Sequence, residues 1–139
     1  MQYFSDPYIG WIFLSFLLAI LAIASYTDQR FMKVPKWLSI PALALGVIAS
    51  IVRGGLMGAS GQYVWILGQA GVWGGALDGF LFALAGFLVG FGLFFALWLM
   101  GVCGGGDVKL FAALGAWIGP WLVLAVLVVS LILLWFYVL

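Results

Sequence analysis

The feature that most restricts the fold of this chain is a series of long apolar runs without charge. The first run extends from Tyr8 to Tyr26, the second covers residues 37–52, and the third extends from Phe80 to Met100. The last begins at Leu110. About 20 helical residues cross the roughly 30 Å hydrocarbon core of a bilayer. Because the runs lack the apolar–polar alternation of barrel strands, they indicate membrane-spanning helices.

Charged residues are too few to cover a protein of this size in water. Of the 139 residues, 68% are hydrophobic and 6% are charged, whereas roughly a quarter of an ordinary soluble domain is charged. This composition excludes a soluble globular protein, a disordered chain and a nucleic-acid-binding protein that works through a basic surface. We therefore predict an all-α, polytopic transmembrane helical bundle of about four spans, with residues 1–139 forming a single membrane-embedded domain.

The positions of the basic residues predict the orientation of the spans. Three of the five basic residues, Arg30, Lys33 and Lys36, lie between the first and second spans. Cytoplasmic loops are enriched in Lys and Arg, so this segment is predicted to face the cytoplasm. Residues 53–79 contain nine glycines and are predicted to form a Gly-rich outer-side loop. A weak additional span within 53–79 is the alternative.

Small residues predict where the helices approach one another closely. In the second span they recur at every fourth position, at Ala42, Gly46 and Ser50. In the third span, Gly86 and Gly90 have the same spacing. Such faces allow helix backbones to come together in membranes.

The last apolar run is too long for one upright span. Gly119 and Pro120 form a natural break, because proline cannot donate to the helical ladder and disfavours helix at the residue before it. We predict a short helix over residues 107–118 and a last span from Trp121 onward.

Two of the four carboxylates are predicted to meet. If the spans simply alternate, Asp28 and Asp107 lie on the same side of the membrane, and an additional span within 53–79 would separate them. Two adjacent carboxylates do not both ionise easily, so one keeps a proton. Such a pair can activate water and polarise a peptide carbonyl. Locally, Asp28 also fits a solvated residue beside Arg30, and Asp107 fits a helix N-cap.

The chain offers little other catalytic chemistry. It contains no histidine and a single cysteine, Cys103. This excludes Ser–His and Cys–His nucleophile pairs and removes the main ligand of the usual zinc sites. We expect Cys103 to be a small packed residue, and we expect no metal and no cofactor.

Two segments together resemble type IV prepilin peptidases, the membrane aspartyl proteases with a GxGD motif. Gly104-Gly105-Gly106-Asp107-Val108-Lys109-Leu110 is similar to the family's GxGD segment, and the Gly-Ala-Trp-x-Gly pattern follows at 115–119. The segment from Asp28 to Lys36 resembles the other signature, except that Lys36 stands where the family commonly has Asn. The resemblance covers roughly residues 8–130.

The resemblance implies catalysis by Asp28 and Asp107 and substrate binding by Gly104, Gly105, Gly106 and Lys109. From the residues alone, Lys109 is interpreted as a marker of the cytoplasmic side rather than as a ligand. The implied substrate is a prepilin-like membrane protein, cleaved at the cytoplasmic face of the inner membrane by a short, peptidase-only member of the family. An archaeal preflagellin peptidase has the same chemistry. A non-catalytic protein or a proton-coupled carrier is the alternative from another class, although carriers are expected to place the key acid near mid-membrane.

Overall fold

Four helices make up the computed structural model of the chain, which describes residues 7–31, 36–61, 65–68 and 71–139, without the side chains of residues 28, 29, 31 and 134. The helices are α1 (Pro7–Phe31), α2 (Lys36–Ala59), α3 (Gly71–Leu99) and α4 (Gly105–Val138). Each contains a segment long and apolar enough to cross a membrane. The predicted all-α, polytopic helical bundle is confirmed.

Helix α4 is interrupted where the sequence predicted a break. Gly119 has φ +84° and ψ 175°, a backbone conformation that favours glycine because it has no Cβ. A Cβ at this position would also collide with the ring of Phe82 in α3. Pro120 follows and cannot donate a backbone hydrogen bond. A short helix over residues 105–118 therefore precedes a second helical segment within α4.

The predicted Gly-rich loop over residues 53–79 is much shorter in the structure. Helix α2 continues to Ala59 and α3 begins at Gly71, and no further span lies between them in the described part of the chain. The glycines that indicated a loop instead join the two helices. A Cβ at Gly54 would fall on the carbonyl oxygen of Gly75. Close helix packing therefore outweighs the poor intrinsic helix propensity of glycine, which costs about 1 kcal/mol per residue.

The two faces of small residues make the contacts predicted for them. Gly86 in α3 packs directly against the backbone of Gly115 in α4. On α2, the Ser50 hydroxyl donates to the Ala116 carbonyl oxygen at 2.8 Å. One turn earlier, Gly46 leaves room for the indole of Trp117. These contacts hold α2, α3 and α4 together as one unit.

Helix α1 packs on this unit through side chains and runs antiparallel to the first part of α4. The ring of Phe13 meets that of Trp117 edge-on, with centroids 5.0 Å apart, and Leu17 shares a buried cluster with Leu114. A second cluster brings together Ala24 of α1, Leu38 of α2 and Leu110 of α4. The C-terminal end of α1 therefore lies beside the N-terminal ends of α2 and α4. The candidate site is at this end.

Candidate active site

Asp107 lies in the first turn of α4, where its carboxylate caps the helix. The backbone N–H of Gly104 donates to Asp107 Oδ2 at 3.2 Å, and the Asp107 N–H donates to the Gly104 carbonyl oxygen at 3.1 Å. The side chain is half-buried. Negative charge is also favoured at a helix N-terminus by the helix dipole. The N-cap interpretation is therefore wrong in position: Gly104 is the N-cap, and Asp107 is the third residue of the helix, where its carboxylate accepts from the N-cap backbone.

The glycines before Asp107 keep its surroundings open. Gly104 is extended, with φ −80° and ψ 157°, and Gly104 and Gly105 are exposed, while Gly106 is half-buried. A Cβ at Gly104 would lie 3.8 Å from Asp107 Oδ2, which is an ordinary van der Waals contact with the carboxylate. Lys109 is exposed in the same first turn of α4. The segment on the N-terminal side of Asp107 is therefore largely exposed.

Cys103, immediately before these glycines, is poorly suited to nucleophilic chemistry. Its thiol donates to the Phe94 carbonyl oxygen at 3.5 Å. Burial, and secondarily the negative charge of Asp107, raise the pKa of the Cys103 thiol. The thiolate is the reactive form of cysteine, so this environment keeps Cys103 in its less reactive form.

Asp28 lies in the last turns of α1, but its side chain is outside the described residues. That the Asp28 and Asp107 carboxylates lie close together therefore stays a prediction. Its neighbour Arg30 donates from Nη1 to the Tyr26 hydroxyl at 2.7 Å. Lys36 is the first residue of α2 and is exposed, whereas Lys33 lies outside the described residues.

The helix positions next to Asp28 and Asp107 belong to one cluster. Ala24 precedes Asp28 by one helical turn and is almost completely buried. Leu110 follows Asp107 by three residues and packs against Ala24 and Leu38. The structure thus brings the backbones near the two acidic positions to the same end of the bundle.

Asp78 has a structural role that the sequence analysis missed. It is buried, and its carboxylate accepts backbone hydrogen bonds from Trp65 at 2.8 Å, Ile66 at 2.7 Å and Leu67 at 3.2 Å. The sequence predicts for this residue only a place in the outer-side loop over residues 53–79. One available signal was that a charged residue beside a long apolar run needs polar partners.

The comparisons with known proteins agree with the motifs. The model of a protein family described as the type IV leader peptidase family matches residues 15–139. This match includes both acidic segments, α2 and α3. No curated protein and no solved structure matches the chain. The members of this family are peptidases, and the chain belongs to the type IV leader peptidase family.

Proposed function

We propose that the chain is a membrane aspartyl endopeptidase that removes the short leader from prepilin-like precursors, with Asp28 and Asp107 as its catalytic pair. The observation that carries this proposal is the cluster of Ala24, Leu38 and Leu110. It holds α1 beside the start of α4, one turn away from each acidic position.

The register of α1 against α4 supports the pairing. Phe13 packs on Trp117, Leu17 clusters with Leu114, and Ala24 with Leu110. Along this series the α1 number rises while the α4 number falls, as in two antiparallel helices. Residues three or four apart lie on the same face of a helix. Continuing the series by one turn pairs position 28 with position 107.

The chemistry follows from two carboxylates that share one proton. The ionised carboxylate takes a proton from a water molecule, whose oxygen attacks the scissile carbonyl carbon. The protonated carboxyl donates a hydrogen bond to the carbonyl oxygen and stabilises its developing negative charge. Collapse of the tetrahedral intermediate breaks the C–N bond, and the leaving amine receives a proton from the pair. Neither carboxylate is singled out as the base.

Substrate binding is assigned to the segment around Asp107. Gly104, Gly105 and Gly106 would leave space for an extended substrate backbone, and Lys109 would lie beside it. The peptide must be unwound at the cut site, because a helix hides its carbonyl groups in its own hydrogen bonds. The basic residues Arg30 and Lys36 lie near this end of the bundle and favour its orientation towards the cytoplasm. The membrane that we propose for the protein is the inner membrane.

Cleavage of a prepilin by the purified protein in detergent tests this function. We expect Asp28→Asn and Asp107→Asn each to abolish cleavage while leaving the protein folded. Asp6→Asn is the matched control, because Asp6 precedes the first span and is predicted to lie on the opposite side. It should cleave like wild type. Full activity in either Asp28→Asn or Asp107→Asn would remove that residue from the pair.

Cleavage of a second substrate distinguishes a prepilin peptidase from an archaeal preflagellin peptidase, which would use the same chemistry. Under the same conditions, a preflagellin should be cleaved much more slowly than the prepilin. Faster cleavage of the preflagellin would favour the archaeal alternative and would leave the aspartyl mechanism intact.

A further inference from the structure

Two apolar fissures lie on either side of the N-terminal half of α1. Their volumes are about 390 Å³ and 270 Å³. Both are bounded by Phe13, Trp117 and Arg53. Among the described residues that line them, Arg53 alone carries a charge, and most of the others are apolar. The fissures therefore share one positively charged lining residue, Arg53.

The fissures are far from the proposed catalytic pair and open to the surroundings of the protein. Arg53 lies 15 residues along α2 from Leu38, which corresponds to about 22 Å of helix. Leu38 belongs to the cluster near Asp107, so Arg53 is at the opposite end of the bundle. The lining residues Trp11 and Ile48 are 68% and 56% exposed. In a membrane, these openings face lipid.

The shape of the fissures favours thin apolar chains. Water has few polar partners in such a lining, so it fills these spaces poorly. A transmembrane helix is about 10–12 Å wide with its side chains, and the contact between Phe13 and Trp117 divides the space into two narrow parts. A helix could enter only by separating α1 from α4. Two acyl chains could occupy the two parts without breaking this contact.

The positive charge of Arg53, which lines both fissures, favours a lipid with an anionic head group. The Arg53 side chain is buried, and its guanidinium carbon lies 4.1 Å from the centroid of the Phe82 ring. A guanidinium has five N–H donors in a planar arrangement that matches phosphate oxygens, and it can serve more than one acceptor. We propose that the two fissures hold the acyl chains of one anionic phospholipid, whose phosphate binds Arg53.

Native mass spectrometry of the full-length chain tests this site without reference to cleavage. The protein is released from micelles that contain equal amounts of phosphatidylglycerol and phosphatidylcholine with identical acyl chains. We expect one retained lipid, with about a fivefold preference for phosphatidylglycerol. Arg53→Gln should reduce the preference to about equal retention, and Arg53→Lys should keep part of it. Arg30→Gln is the matched control, at the other end of the bundle, and should keep the full preference.

A second variant tests the fissure while retaining the cation. Ala49 lines the smaller fissure, and Ala49→Leu should lower the retention of both lipids even though Arg53 is present. This result is interpretable even if Arg53→Gln fails to fold, which circular dichroism would reveal.

Four outcomes would overturn the proposal. The first two are equal retention of the two lipids by wild type and an undiminished preference in folded Arg53→Gln. A lipid-free dimer that is lost in Ala49→Leu would assign the fissures to a second copy of the chain. Displacement of the lipid by a prepilin transmembrane peptide, in a one-to-one complex, would assign them to the substrate.

Discussion

Replacement of Asp78 by asparagine is the sharpest test of the connection between α2 and α3. The Asp78 carboxylate accepts three backbone hydrogen bonds, two at Oδ1 from Ile66 and Leu67 and one at Oδ2 from Trp65. An asparagine amide in the same place can keep the two bonds to its oxygen. Its NH₂ group would then face the Trp65 N–H, and two donors would oppose each other.

The expected loss of stability follows from the Trp65 N–H, which loses its acceptor at Asp78 Oδ2. A hydrogen bond to a charged group contributes about 1.5–3 kcal/mol, and a buried N–H left without an acceptor costs about 1–3 kcal/mol. These contributions overlap because they describe the same N–H. We expect Asp78→Asn to destabilise the connection by about 3 kcal/mol, or roughly 150-fold in the equilibrium constant for its opening.

Amide hydrogen exchange in detergent measures this opening directly. A peptide that covers residues 65–67 should exchange about 150-fold faster in Asp78→Asn than in wild type, because the exchange rate scales with the equilibrium constant for opening. Asp107→Asn is the control, because Asp107 is half-buried and its side chain accepts a single bond of 3.2 Å from Gly104. This variant should leave exchange at 65–67 unchanged.

The two variants should also differ in cleavage. Asp78 lies near the start of α3, whereas Phe94, near the other end of α3, stacks on Phe111 close to Asp107. We therefore expect folded Asp78→Asn to cleave prepilin normally and Asp107→Asn to be inactive. Unchanged protection of the Trp65, Ile66 and Leu67 amides in Asp78→Asn would show that the three hydrogen bonds to Asp78 do not stabilise the connection between α2 and α3. Loss of cleavage in fully folded Asp78→Asn would contradict its separation from the site.

Two further predictions concern helix packing and the cysteine. Gly86→Ala should lower stability by about 1–3 kcal/mol in detergent unfolding, because its Cβ would strike the Gly115 backbone and force the helices apart. Gly92→Ala, in the same helix with open space around it, should be neutral or stabilising, and an equal loss in both would contradict the contact. Because the charge of Asp107 helps to raise the pKa of the Cys103 thiol, Asp107→Asn should lower that pKa and speed alkylation of Cys103 at neutral pH. An unchanged alkylation rate across a pH series would exclude this coupling.

Local signals in the sequence were sufficient for some elements of the fold. The break in α4 follows from Gly119 and Pro120 themselves, whose backbone restrictions act wherever they occur. The apolar runs likewise located all four helices, because length and composition decide whether a helix can cross a membrane.

The connection between α2 and α3 shows where local signals fail. Gly54 and Gly58 have poor helix propensity, so their density indicated a loop. Their effect depends on which surface they face, and in the structure each lies against the backbone of α3. The partners of Asp78 lie 11 to 13 residues away across the turn. Neither feature can be obtained from propensity, because both depend on how two helices meet.

The proposed catalytic pair spans an interface between α1 and the other helices that has little close backbone contact among the described residues. Glycines bring the backbones of α2, α3 and α4 together, and this unit fixes the start of α4 and therefore Asp107. Helix α1, which carries Asp28, is attached mainly through side chains such as Phe13, Leu17 and Ala24. Interlocked backbones resist displacement more than contacts between side chains alone do. The distance between the two carboxylates should therefore depend on the position of α1 relative to α2, α3 and α4. Lipid or substrate bound beside α1 would then affect catalysis by shifting that helix.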